Sequence, residues 1–167
     1  GPALDALVNN AGVLHVGRFE ALAAADHDRT IEVNVGGVVR VLYAAFPYLA
    51  EARNPRVVNV SSASAVFGVP EFASYSASKF FVRGLTEALA VELKGTGVTV
   101  TALCPGATAT GFVAAADLEG ARLFARGAAT SADVAEAGYR AMIDGRTVYV
   151  QGARNKPIPL LARLLPR

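Results

Sequence analysis

The sequence predicts an α/β fold built on a parallel sheet, and three features carry that expectation. Short apolar runs recur at residues 4–8, 56–61, 98–103 and 147–150. Longer segments with helical periodicity stand between them, at 26–52, 74–94 and 130–144. The first three runs each end in turn or hydroxyl residues: Asn9-Asn10-Ala11-Gly12, Ser61-Ser62 and Cys104-Pro105-Gly106. Strands that alternate with helices indicate parallel pairing. In such open sheets ligands collect at the carboxyl ends of the strands.

Composition narrows the class. With 167 residues, 53% of them hydrophobic and 18% charged, the chain is one globular domain able to bury a core. A net charge of +2 with interspersed signs gives no electrostatic case for nucleic acid. The single cysteine excludes an internal disulfide and is compatible with a reducing compartment. No secretory signal is visible, and a cytoplasmic setting is expected. Residues 95–116 are uncharged, but Pro105, the glycines and the threonines argue against a membrane span. His15 and His27 have no partner at metal spacing, so no metal site is expected.

Residues 4–8 read as a buried strand, and Asn9-Asn10-Ala11-Gly12 as the turn at its end. Taken alone, that turn is an Asx-type turn with its side chains on backbone groups. Asp26 is the expected cap of a long helix through about residue 52, whose apolar stripe includes Ile31, Val35, Val38, Val39, Leu42, Ala45, Phe46 and Leu49. Asn34, Gly36 and Gly37 interrupt it, each costing roughly 0.5–1 kcal/mol against alanine. Such a conflict marks either a functional distortion or a solvated Asn beside glycines that allow close helix packing. Val57, Val58 and Val60 make the second strand. Ser74 is the expected cap of the next helix and Gly95 its stop. Apolar residues spread round more than one face of that helix, leaving a second face for a partner subunit. Residues 98–103 make the third strand, with Cys104 a buried strand residue rather than a nucleophile. Residues 111–128, with Phe112, Val113, Leu118, Leu123 and Phe124, form a prospective substrate lid. Thr130-x-x-Asp133 reads as a capping box for a helix stopped by Gly145. The basic and apolar tail, 154–167, is expected to pack on its own domain, with contact to a membrane or a neighbouring subunit as the alternatives.

The chemistry concentrates between Ser62 and Lys79. Tyr75 and Lys79 lie four residues apart at the start of a helix and so share a face. A free phenol has a pKa of roughly 10; acid–base work at neutral pH needs it about 3 units lower, or about 4 kcal/mol. A nearby ammonium pushes in that direction. Ser62, at the end of the second strand, would donate to a substrate oxygen on which charge develops.

Ser62, Tyr75-x-x-x-Lys79, the upstream Asn9-Asn10-Ala11-Gly12 and the downstream Pro105-Gly106 together resemble the short-chain dehydrogenase/reductase family. The resemblance runs over nearly the whole chain and implies the carboxyl-terminal part of a doubly wound parallel Rossmann sheet with flanking helices. It implies hydride transfer between a nicotinamide and a carbonyl or secondary alcohol. NADP(H) is favoured over NAD(H), although the position that decides between them is not in this chain. The catalytic set would be Asn34, Ser62, Tyr75 and Lys79. Asn34, in Glu32-Val33-Asn34-Val35, would distort its helix and hold through its carbonyl a water linked to Lys79. Ser62 stands thirteen positions before Tyr75, as the family prefers, with Ser61 the alternative. Cofactor contacts would come from Asn9, Ala11, Gly12, Tyr75, Lys79, Pro105, Gly106, Thr108 and Thr110. Ser64, Val69, Phe72 and Phe112 are candidate substrate contacts. A homodimer or homotetramer through helices 26–52 and 74–94 is implied.

One element departs from the pattern. No Gly-x-x-x-Gly-x-Gly follows a strand, so the first strands and the glycine-rich phosphate turn are expected to be absent and residues 1–167 to form a partial domain. The reading in a different class is therefore a non-catalytic fragment or interaction module. A sugar-nucleotide epimerase or dehydratase, which shares Tyr-x-x-x-Lys, ranks last because the carboxyl region leaves little room for its substrate domain.

Overall fold

The computed structural model describes residues 2–109 and 128–152. Its centre is a four-stranded sheet made of β1 (Ala6–Asn9), β2 (Arg56–Val60), β3 (Thr99–Cys104) and β6 (Val148–Val150), in that spatial order. All neighbours are parallel. The strands lie side by side in sequence order, each returned to the same edge by a helical crossover, as the alternating pattern requires.

Register follows the period-two pattern. Leu7, Val57 and Val100 are aligned across three strands and face one layer of helices. That layer is α1 (Ala24–Ile31), a π-helical turn (Glu32–Gly37), α2 (Val38–Leu49) and α3 (Ala73–Glu92). Val38, Leu42, Ala45, Leu49 and Val82 fill the core beneath them. On the opposite face Val58 and Leu103 pack against Met142 of α4 (Ser131–Ile143). Gly138 of α4 lies so close to the sheet that an added Cβ would come within 2.7 Å of Leu103 Cδ2.

Several details depart from the sequence reading. β1 is not buried on both faces: Val8 is 58% exposed, because α4 covers the Val58–Leu103 side and leaves the β1 side bare. The long helix starts at Ala24 with Ala23 at its cap, so Asp26 sits in its first turn. Ser74 does not cap α3, which begins at Ala73 after Phe72; its hydroxyl meets His27 Nδ1 at 2.7 Å instead. That hydroxyl is engaged with a partner 47 residues away in sequence rather than with the backbone of its own helix. The capping box at Thr130 and Asp133 forms as expected, and Gly145 follows in a left-handed conformation at φ 66°. Two short strands were not anticipated: β4 (Thr108–Ala109) and β5 (Ala129–Thr130) pair in parallel. Residues 111–127 of the prospective lid 111–128, and the tail from residue 153, lie outside the described residues.

Candidate active site

The carboxyl ends of β1, β2 and β3 meet the first turns of α3. Ser62 follows β2 and opens a short 3₁₀ turn, Ala63–Val66. Its Oγ accepts the Ser64 N–H at 3.1 Å and lies 3.0 Å from Ser64 Oγ. The same hydroxyl bears on the Tyr75 phenol, pushing its pKa down against the larger effect of burial. One turn further along α3 the Lys79 ammonium sits 5.7 Å from the centre of the Tyr75 ring. It donates to the Val60 carbonyl at 2.9 Å. Ser61, the neighbouring alternative, points away: it is 2% exposed and donates to the Lys79 carbonyl at 2.9 Å. The structure thus brings Ser62, Tyr75 and Lys79 together and commits Ser61 to holding α3.

Asn34 is fully buried within the π-helical turn. The widened turn pushes its side chain out of the helix line and onto the loop after β1. Its Oδ1 accepts the Val13 N–H at 2.8 Å, while Nδ2 donates to the Val13 carbonyl and to Ser78 Oγ, both at 3.0 Å. Ser78 in turn donates to the Tyr75 carbonyl at 2.7 Å. One amide therefore couples the β1 loop, the α1–α2 junction and α3. Gly12 stands at the centre: a Cβ there would lie 3.3 Å from Asn34 Oδ1 and 3.5 Å from Lys79 Nζ. A side chain at that position would crowd both groups.

Burial sets the charges. Withdrawal from water lowers the Lys79 pKa from 10.5 to about 8. The Tyr75 phenol is raised by burial, and the nearby Ser62 hydroxyl offsets only part of this. The sequence reading expects Lys79 to depress Tyr75; here burial is the larger influence and the phenol stands above its ordinary value, with the ammonium 5.7 Å from the ring centre. Cys104 is buried at the end of β3, and burial raises its thiol.

The remaining residues fall into three groups. Asn9 is turned into the sheet, donating to Asn59 Oδ1 at 2.8 Å; Asn59 donates to Thr86, and Thr86 to the Val82 carbonyl. Its side chain supports the strand end, while Ala11 is exposed and Gly12 half-buried. The Pro105 carbonyl accepts from Ala63 at 2.8 Å and ties the β3 turn to the Ser62 turn. Thr108 closes on the Gly106 carbonyl at 3.0 Å. Among the candidate substrate contacts, Phe72 presents an edge to the Tyr75 ring at 6.4 Å. Val69 accepts the Phe72 N–H in the loop before α3, and Ser64 is engaged with Ser62. Thr110 and Phe112 lie outside the described residues.

Sequence reasoning missed Ser78, Asn59, Thr86 and the Val60 carbonyl. Ser78 was within reach, since it lies three residues after Tyr75 on a helix. A backbone carbonyl leaves no trace in residue type. Among the described residues no group of three or more His, Cys, Asp or Glu could hold a metal ion. An open groove of about 400 Å³ between α4 and β6, lined by Asp133, Glu136, Arg140 and Tyr149 among others, shares no residue with this site.

The family model described as short chain dehydrogenase matches residues 2–119. The chain is similar to the 3-oxoacyl-(acyl-carrier-protein) reductase FabG of Thermotoga maritima, at 40% identity over 62% of this chain and 42% of that protein. A 3-ketodihydrosphingosine reductase of Bacteroides thetaiotaomicron is 38% identical over 65% of this chain and 40% of that protein. Among solved structures, a 3-ketoacyl-(acyl-carrier-protein) reductase of Brucella melitensis complexed with NADH matches at TM-score 0.80 and 28% identity, covering 89% of this chain and 65% of that one. A short-chain dehydrogenase of Sphingobium yanoikuyae in complex with NADPH matches at TM-score 0.79 and 25% identity, covering 87% of this chain and 56% of that one. The matched region spans about two fifths of the length of these curated relatives.

Proposed function

Because the chain belongs to the short-chain dehydrogenase family, we propose that the protein carrying it is an NAD(P)-dependent oxidoreductase acting on a carbonyl or secondary alcohol. The observation that supports this reading is the grouping of Ser62, Tyr75 and the Lys79 amine, with Ser62 acting on the phenol and the amine 5.7 Å from its ring, at the carboxyl edge of a parallel sheet. Tyr75 gives its phenolic proton to the carbonyl oxygen in reduction and takes it back in oxidation. Ser62 donates a hydrogen bond to the same oxygen and holds it in place as charge develops. Asn34 keeps the loop after β1, the π turn and α3 in one arrangement, and its carbonyl supports a water-linked proton path towards Lys79.

The residues present fit the nicotinamide half of a dinucleotide, since Gly12 leaves open the space beside Lys79 and Asn34 that a Cβ would take. That cofactor supplies the hydride. Lys79 would hold its ribose hydroxyls, Pro105, Gly106, Thr108 and Thr110 its nicotinamide end, and Asn9, Ala11 and Gly12 its adenosine side. Burial holds the Tyr75 phenol up, so Lys79, and any positive charge brought near the ring, would act against that desolvation in lowering it. NADP(H) is the nucleotide favoured in this reading, the solved neighbours holding NADH in one case and NADPH in another; a lipophilic or acyl carbonyl is the substrate class, in keeping with the names of the reductases this chain resembles. Exposed apolar residues on α2 and α3, among them Tyr43 at 83% and Val91 at 74%, favour assembly as a homodimer or homotetramer. A cytoplasmic location fits this reading, and no described helix is long and apolar enough to cross a membrane.

Tyr75→Phe in the full protein carrying this sequence is expected to abolish turnover while NADPH or NADH binding remains measurable. Undiminished turnover would refute the assignment.

A further inference from the structure

We infer that Ser64 is a positioning residue that sets the direction of the Ser62 proton, and so makes Ser62 a hydrogen-bond donor towards Tyr75 and the substrate oxygen. This deepens the oxidoreductase reading and rests on it. A serine hydroxyl has one proton and two acceptor positions. The Ser64 backbone N–H can only donate, and at 3.1 Å it occupies one acceptor position of Ser62 Oγ. Ser64 Oγ lies 3.0 Å from the same oxygen. When Ser64 donates, both acceptor positions of Ser62 are filled, and its own proton is left to be given onward, to the Tyr75 phenol on which Ser62 bears or to a substrate oxygen there. With the polarity reversed, the Ser62 proton would be drawn away from the reacting oxygen. Hydrogen bonds in series polarise one another, so a donor onto Ser62 also strengthens the bond that Ser62 gives. Ser64, first considered a substrate contact, therefore acts through Ser62 instead.

The geometry makes the test clean. The Ser64 N–H bond is made by the backbone and survives any side chain, so Ser64→Ala removes one hydroxyl and leaves the turn intact. Steady-state kinetics in the alcohol-oxidation direction would be run across pH on the full protein and on Ser64→Ala and Ser64→Thr, with Ser62→Ala as control. For Ser64→Ala, kcat is expected to fall about 3- to 10-fold with nucleotide KM unchanged. The acid limb of its pH profile should move up by about half a unit, because the phenolate loses part of its donor. Ser64→Thr keeps the hydroxyl and should restore both. A Ser64→Ala enzyme with native kcat and an unmoved limb overturns the inference, and one with raised kcat shows the opposite polarity and overturns it too. Loss of kcat without movement of the limb would indicate a merely structural role. Should Ser62→Ala itself turn over normally, the oxidoreductase reading falls as well; a collapsed Ser62→Ala beside a silent Ser64→Ala removes only the role of Ser64.

Discussion

Placing the Lys79 ammonium where it is only 4% exposed draws its pKa from 10.5 to about 8, with a consequence for folding. Between those values the unfolded chain holds a proton that the folded chain has released. Stability therefore rises with pH across that window, and the whole penalty is present below it, where both states are protonated. A shift of about 2.5 units corresponds to about 3 kcal/mol. Urea unfolding of the wild-type chain and Lys79→Met at pH 7.5 and 10.5 should show the wild type gaining by about that amount relative to the variant. Parallel behaviour of the two would mean that the amine is not desolvated. At this scale the sequence was legible where one residue type has one task. A phenol and an amine four apart on a helix, with a hydroxyl at a strand end, point to the site directly. Ser78 and the Val60 carbonyl were not legible, because each matters only through a neighbour that tertiary contact supplies.

The junction of α1 and α2 shows the same division among elements. Asn34, Gly36 and Gly37 flagged a distortion, since none of them favours a helix interior. Its form, a π turn, and its purpose came from the loop after β1, where the Asn34 side chain finds both the N–H and the carbonyl of Val13. Asn34→Ala should cost about 2–4 kcal/mol in chemical denaturation, because it leaves the buried Val13 and Ser78 partners unmet. A loss under about 0.5 kcal/mol would show that water replaces the amide at little cost. The capping box of α4 offers a simpler case: Thr130→Ala removes a hydroxyl bonded to Asp133 and should lower stability by about 1 kcal/mol. This cap was legible because both partners lie three residues apart. The proposed caps Asp26 and Ser74 were not borne out, because Ser74 serves His27 and α1 starts two residues before Asp26.

Across the whole molecule, a parallel sheet is stable when helices cover both faces; among the described residues α1, α2 and α3 pack on one face and α4 on the other, beside Val58 and Leu103. Val8 of β1 stays 58% exposed as a result. On the other side of the molecule α2 exposes Val39 at 42% and Tyr43 at 83%, four residues apart and so on one face. If copies of the protein meet there, Tyr43→Glu should reduce the particle mass seen by light scattering; an unchanged mass would exclude this face as an interface. Calorimetric titration of the 167-residue chain with NADPH and NADH should give little heat, because its sequence has no Gly-x-x-x-Gly-x-Gly turn to take a pyrophosphate. Tight binding would show that the nicotinamide-side residues suffice alone.

The sequence by itself determined the strand–helix alternation, the parallel sheet and the positions of Ser62, Tyr75 and Lys79. These follow from local periodicity and from spacing within one or two helical turns, which act before any distant contact forms. Only the tertiary structure decided how exposed each face is, which serine meets the phenol and how burial sets the charges of Tyr75 and Lys79. Those depend on desolvation and on partners tens of residues away, and no local pattern encodes the free energy of either.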